Sequence, residues 1–146
     1  MRNNKFKLIV FVLVTFLSCG NEDDEIDCTL ALPEPNWFEI GFYNSQGDPL
    51  IGSTYQQESF RLFNNDIELN ISPMPFGNPT RLLVRYDDLE SDKDYYIELT
   101  ATDNDTLNFS FESFQGECFL HYNLQRVIYN GEEIIIQNSS QVALIK

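Results

Sequence analysis

From Trp37 onward, apolar side chains recur at every second position in short runs, each run stopped by Gly, Pro, Asn or Asp. A period of two places alternate residues on opposite faces of an extended strand, so each run carries one apolar face that another layer must bury. Phe38, Ile40 and Phe42 alternate with Glu39 and Gly41; Ile67, Leu69 and Ile71 with Glu68 and Asn70; Leu82, Val84 and Tyr86 with Arg81, Leu83 and Arg85. Further on, Tyr95, Ile97 and Leu99 oppose Glu98 and Thr100, and Leu107, Phe109 and Phe111 oppose Asn108, Ser110 and Glu112. Asn64-Asn65-Asp66, Asp103-Asn104-Asp105 and Asn130-Gly131 read as turns, the last as a type I′ hairpin joining residues 119–129 to 132–136. With a closing strand at Gln141 to Ile145, the count is about eight strands. The expected fold is an all-β, antiparallel β-sandwich of immunoglobulin-like or prealbumin-like kind, with a small closed β-barrel as the alternative.

The first 18 residues follow another logic. Arg2, Lys5 and Lys7 precede the run Leu8 to Leu17, which holds nine apolar residues and one Thr, and Ser18 follows. This is the tripartite form of a secretory signal peptide. The run is about half the roughly 20 residues needed to cross a bilayer, so it is not expected to stay as a membrane span. Phe16-Leu17-Ser18-Cys19 resembles the lipobox of bacterial lipoproteins. That resemblance implies cleavage before Cys19, a diacylglycerol on its sulfur and an acyl chain on its new amino group. Two or more chains buried at about 0.8 kcal/mol per methylene make such an anchor effectively permanent.

Glu22, Asp23, Asp24 and Glu25 follow Cys19 closely and are similar to the acidic export signals of surface lipoproteins in the Bacteroidota. Read from charge alone, the same residues are a solvated linker kept extended by self-repulsion. The expected organisation is a signal peptide over 1–18, a lipidated Cys and acidic tether over 19–30 and one sandwich domain over 31–146. From Gly20 to Asp27 the tether spans at most ~28 Å at ~3.5 Å per residue. Taken whole, the chain resembles the small surface lipoproteins of flavobacteria: lipobox, acidic tether, one Cys at the domain start, a late Gly-Glu-Cys and a Tyr-Asn-Gly hairpin. That likeness implies an outer-membrane, surface-exposed address and no particular activity.

The chain has three cysteines, an odd number for an exported protein. Lipidation of Cys19 accounts for one, leaving Cys28 and Cys118 to form a disulfide in an oxidising compartment. Closing a loop of about 90 residues contributes on the order of 4 kcal/mol in the chain-entropy model. Adjacent acids, Asp27 and Glu117, disfavour a thiolate at either position, which argues against a nucleophilic role.

All 23 acidic residues lie beyond the expected cleavage point and three basic ones before it, so maturation takes the formal net charge from −14 to −17. Such a surface repels phosphate and anionic headgroups, which excludes nucleic acid as an expected partner and leaves the lipid anchor as the contact with the membrane.

Residues able to do chemistry are sparse. His121 is the only histidine, no Gly-x-Ser-x-Gly occurs, and one His supplies neither a triad nor a zinc site here, so neither enzyme activity nor a metal or other cofactor is expected. The acidic stretches Asp87-Asp88 through Asp92 and Asp94, and Asp103-Asn104-Asp105, offer hard oxygen ligands, but lack the EF-hand Gly and Glu; Asx turns explain them equally.

Asp105-Thr106-Leu107 resembles the acceptor for protein O-glycosylation in Bacteroidota, which implies Thr106 as a modified residue on an exposed turn. Phe38 to Tyr55 resembles the opening hairpin of carboxypeptidase-regulatory-like sandwich domains, over that segment alone. Trp37, Tyr43, Tyr96 and Tyr122 fall out of phase with the core positions, and several aromatics on one face would suit sugar rings.

The expected function is a non-enzymatic binding or interaction module at the cell surface, its partner an envelope protein or polysaccharide. The alternatives are a structural spacer or assembly subunit, or a glycan-binding accessory lipoprotein. The anchor is directly testable: Cys19→Ala moves the protein from the membrane fraction to the soluble exported fraction on ultracentrifugation, and retention in the membrane pellet refutes lipidation.

Overall fold

A computed structural model describes residues 27–146 apart from 66, 75–79, 137 and 139. The expected signal peptide, Cys19 and the acidic stretch Glu22 to Glu25 lie outside the described residues. Cys28–Leu30 forms a single 3₁₀ turn capped by Asp27, whose carboxylate accepts from Thr29 N at 3.0 Å. Cys28 and Cys118 are both disulfide-bonded, as the cysteine count anticipates.

The domain over Leu32–Lys146 is all β. Its strands are β1 (Trp37–Tyr43), β2 (Arg61–Asn64), β3 (Ile67–Leu69), β4 (Ile71–Pro73), β5 (Arg81–Arg85), β6 (Lys93–Thr100), β7 (Asp103–Gln115), β8 (Leu120–Tyr129), β9 (Glu132–Ile134) and β10 (Gln141–Ile145). They form a four-stranded sheet in the order β10-β1-β5-β4 and a six-stranded sheet in the order β3-β2-β6-β7-β8-β9. The two sheets bury their apolar faces against each other and do not close into a barrel. Phe38 shows the join: its ring meets Tyr86 of its own layer at 5.1 Å and Phe109 of the facing sheet edge-on at 5.2 Å.

Four expectations are corrected. Among the described residues there are ten strands, because Arg61–Asn64 forms an additional one, β2, and the run Ile67 to Ile71 breaks at Asn70: β3 pairs with β2 in one sheet and β4 with β5 in the other. Ile67, on the edge strand β3, stays 67% exposed. The pairing is not wholly antiparallel, since β1 and β10 run parallel. Asp103-Asn104-Asp105 is the start of β7 rather than a turn; the chain reverses at Ala101 and Thr102. Lastly, Tyr122 faces the core. Ser110 pairs with Arg126 but Phe111 with Leu124, so Gln125 is an extra residue in β8, and the alternation changes phase across this bulge. The Asn130-Gly131 hairpin forms as read, with φ of 50° and 83°, the double positive φ of a type I′ turn.

The parallel pairing matters at one rim. The ladder extends past β10 through Lys146 N, which donates to Tyr43 O at 2.9 Å. Thus fixed, Lys146 sends its ammonium to Asp105 Oδ2 at 2.6 Å and Asp103 Oδ1 at 2.8 Å, tying one sheet to the other. Tyr129 Oη and Asn130 Nδ2 also donate to Asp105, at 2.6 and 2.9 Å. Asp105 is only 6% exposed. Burial works to raise its carboxyl, but the hydrogen bonds from Lys146, Tyr129 and Asn130 outweigh it and hold the group below the ordinary aspartate range.

A carboxyl depressed on folding contributes stability above its unfolded value of about 3.9, and the contribution is lost as pH falls through the folded value. Asp105→Asn therefore lowers the unfolding free energy at neutral pH by about 1–3 kcal/mol, the cost of taking a buried carboxylate acceptor away from the Lys146, Tyr129 and Asn130 donors. In urea titrations the gap between wild type and variant narrows as pH falls below the ordinary aspartate range, where the wild-type carboxylate loses its charge in turn.

Candidate functional site

Where β1 begins, β5 ends and β8 begins, the rim opens into a cleft of about 570 Å³ lined by Pro33, Glu34, Pro35, Asn36, Trp37, Asp87, Phe119, Leu120 and Tyr122. Its place follows from the strands: Trp37 is the first residue of β1, and Asp87 lies in the 3₁₀ turn Tyr86–Asp88 directly after β5. Tyr86 N donates to Asn36 O at 2.9 Å, which ties the chain entering β1 to the chain leaving β5.

Tyr122 is the most constrained side chain here. Its ring stacks on Tyr86 with centroids 4.8 Å apart and planes 2° from parallel, and its hydroxyl donates to Asp87 Oδ1 at 2.8 Å. Asn36 Nδ2, at 2.5 Å, and the Arg85 guanidinium, at 3.1 Å, donate to Asp87 Oδ2. Hydrogen bonds from Tyr122 and Arg85 keep the Asp87 carboxyl below its usual range, and the Asp87 carboxylate in turn raises the Tyr122 hydroxyl. A carboxylate so supplied with donors is a brace, holding an aromatic wall rather than serving as a free base.

Beside it stands His121, whose Nδ1 is 2.8 Å from Glu34 Oε2 and whose ring stacks on Phe114 at 5.1 Å. Gly116 makes room for that ring: a Cβ there would run into the imidazole, with Cδ2 at 2.6 Å. Phe114 and Leu120 are exposed apolar residues of the same β7–β8 hairpin. Chemically, the cleft offers ring faces and a few fixed polar groups, which is what recognition of an uncharged, partly apolar ligand needs.

The structure brings together two of the four aromatics singled out from phase, Trp37 and Tyr122, and separates the others. Tyr43 lies on the outer face of the four-stranded sheet, its ring folded over Gly41, where a Cβ would meet Cε2 at 2.7 Å. Tyr96 lies on the outer face of the six-stranded sheet, 49% exposed. A single exposed cluster of Trp37, Tyr43 and Tyr96 does not form.

The acidic stretches are likewise dispersed. Asp87 meets Arg85, Asp92 meets Arg126 at 3.2 Å, and the Asp103/Asp105 pair holds the Lys146 ammonium where a cation would sit. Among the described residues no group of three or more His, Cys, Asp or Glu is placed to hold a metal ion. Thr106 is exposed, as an acceptor must be, but on strand β7 rather than on a turn.

The Glu34–His121 pair, the Asp87 hub and the Lys146 clasp escape sequence reasoning, because their members are far apart along the chain. Gly-Glu-Cys at 116–118 is the one local signal near them, a glycine where a hairpin reverses. Against protein-family models, curated proteins and solved structures, the chain has no match. What the structure defines is a class, a two-sheet β-sandwich with a braced aromatic cleft at one rim.

Gly116→Ala is expected to displace the imidazole and lower stability by about 1–3 kcal/mol. Thermal unfolding of Gly116→Ala in a His121→Ala background checks the cause: the loss should largely vanish once the ring is gone, and an undiminished loss assigns it to the backbone.

Proposed function

We propose that this chain is a lipid-anchored envelope protein, exported to the outer membrane and exposed at the cell surface, whose sandwich is a non-enzymatic binding module. The Trp37–Tyr122 cleft is its ligand site. The observation that carries this reading is the bracing of Tyr122, stacked on Tyr86 and tied to Asp87. A ring held from two sides loses little rotamer freedom when a ligand covers it, so binding there costs less ordering entropy than at a free surface aromatic.

The ligand class favoured by the cleft is an uncharged saccharide. Trp37 and Tyr122 supply ring faces for apolar sugar faces, and Asn36 and Glu34 supply polar atoms for hydroxyls. Asp87 is neutralised locally by Arg85, so the cleft does not depend on ligand charge. The anchor expected at Cys19 would hold the domain where such polymers occur. A purely structural spacer has no need of a braced aromatic cleft, which is why that alternative ranks lower.

Trp37 is the only tryptophan in the chain, so its emission reports on this site alone. Titration of the mature protein with neutral oligosaccharides, namely cello-, chito- and manno-hexaose together with the polysaccharide shed by the producing cell, is expected to shift or quench that emission saturably with at least one. Tyr122→Ala should abolish the response. Unchanged emission with all four, or a response that survives Tyr122→Ala, defeats the saccharide assignment.

A further inference from the structure

At the rim that holds the cleft, the β7–β8 hairpin runs on past the buried core. On β7 the core contacts end at Phe111, and Glu112, Ser113, Phe114 and Gln115 are exposed one after another. Side chains alternate between faces along a strand, so four exposed residues in succession mean that neither face of this stretch is covered. The pairing continues nonetheless, Phe114 with His121 and Gln115 with Leu120, up to a turn closed by Gly116 N donating to Phe119 O at 2.9 Å.

Three large apolar side chains are exposed around this end of the domain: Phe114 at 57%, Leu120 at 45% and Leu32 at 90%. Phe114 and Leu120 belong to successive register pairs and so project from opposite faces of the hairpin. Leu32 arrives with the strip that enters β1, which Glu34 ties to the hairpin through His121 at 2.8 Å. Elsewhere Ile67, Tyr96 and Ile145 stand singly on β3, β6 and β10. Single exposed apolar groups are ordinary on a soluble domain, whereas three at one projecting end call for an apolar partner.

Position along the chain says which partner lies within reach. Leu32 comes thirteen residues after Cys19, at most ~45 Å away at ~3.5 Å per residue. Cys28 of the tether and Cys118 of the hairpin turn are both disulfide-bonded, a covalent fastening between the same two segments. On the lipid-anchor reading, on which this inference rests, the chain leading from the membrane therefore enters the domain at the end that carries the apolar side chains. A tether this short gives an effective concentration of the order of millimolar, so a contact too weak to recruit a free protein suffices.

Charge selects the kind of surface. Glu34 on the strip and Glu112 and Glu117 on the hairpin are exposed, and the Arg85 guanidinium of this rim is taken up by Asp87. An anionic bilayer repels such an end, whereas a zwitterionic one offers apolar depth without net charge.

We infer that the Leu32–Phe114–Leu120 end of the sandwich is a membrane-contact surface, which seats its apolar side chains in the interface of the zwitterionic bilayer holding the anchor. Because Leu120 also lines the cleft, the contact sets the cleft at the level of the lipid headgroups.

The test uses the chain from Cys19, whose thiol is the one left free by the disulfide, coupled to a maleimide-bearing phospholipid in phosphatidylcholine vesicles with or without brominated acyl chains. Coupling replaces cellular lipidation, so a negative result rejects the contact and leaves the anchor itself to the fractionation of Cys19→Ala. In a Trp37→Phe background, Phe114→Trp emission should shift to the blue on attachment and fall roughly twofold or more with brominated lipid. Ile67→Trp, on a strand three away from β7, should keep the emission of the detached protein. Leu32→Ser with Leu120→Ser should remove most of the Phe114→Trp quenching, and about one third phosphatidylglycerol in the vesicles should weaken it. Hydrogen exchange on the unsubstituted chain reads the same surface: amides of 112–121 should slow on attachment and those of β3 should not. If a tryptophan variant does not fold, exchange decides. Equal quenching at both positions, quenching that survives the Leu32/Leu120 pair, or stronger quenching with phosphatidylglycerol overturns the surface, as does unchanged exchange at 112–121.

Discussion

Burial of one apolar face of β1 is the constraint on which the rest of the sandwich depends. Phe38, Ile40 and Phe42 are fully buried, and the two phenylalanines touch aromatic rings from both layers: Tyr86 and Phe109 around Phe38, Phe60 and Tyr129 around Phe42. Each buried phenylalanine is worth roughly 2–3 kcal/mol in transfer terms. Because β1 also has hydrogen-bonded neighbours on both edges, β5 antiparallel and β10 parallel, it has no freedom to slip. A shift by one residue would turn the three core side chains outward and Glu39 inward. Two remote features are thereby set in place: Trp37 at the cleft, one residue before Phe38, and Lys146 at the opposite end of the strand, positioned by Tyr43 O.

The period-two runs made most strands legible, because alternation records burial on one face directly. The runs at 38–42, 82–86, 95–99 and 107–109 all supply buried residues, and Asn130-Gly131 shows its turn type through the backbone it permits. What stayed hidden depends on contacts between distant residues or on one-residue irregularities. Nothing local distinguishes a parallel from an antiparallel neighbour for Gln141 to Ile145. Gln125 looks like any strand residue, yet its bulge turns Tyr122 toward Tyr86 and so builds the cleft wall. Asp103 and Asp105 carry the composition of a turn and sit in a strand, because Lys146, Tyr55, Tyr129 and Asn130 meet the polar demand that otherwise puts such residues in loops.

The acidic composition is not uniform in its consequences. Asp105 and Asp103 are fastened to an ammonium, Asp87 to a guanidinium, a tyrosine hydroxyl and an amide, and Asp92 to Arg126 and Ser110. These carboxylates hold strand ends together, and each is offset where it stands. The burial gradient separates them in strength: Asp105 itself is buried and its partners only partly exposed, whereas the pairs of Asp87 and Asp92 are half exposed and screened by solvent. The large negative balance therefore resides in the remaining acids, and it is these that set the field felt by an approaching partner.

Local neutralisation and local excess divide the surface into two kinds of region. At the cleft, Arg85 offsets Asp87 and the aromatic wall is fixed by its neighbours, so discrimination there must rest on shape and on a few directed hydrogen bonds. On the six-stranded sheet, Asp94 and Glu98 flank the half-exposed Tyr96 ring, with Arg61 directly across from Glu98 in register, and the field of such exposed charges fades over roughly a Debye length of 8 Å at physiological salt. One small sandwich can present both because its layers expose different outer faces. The cleft forms at a rim where the two sheets meet, while the charged row needs only the flat exterior of one, and no side chain is asked to serve both.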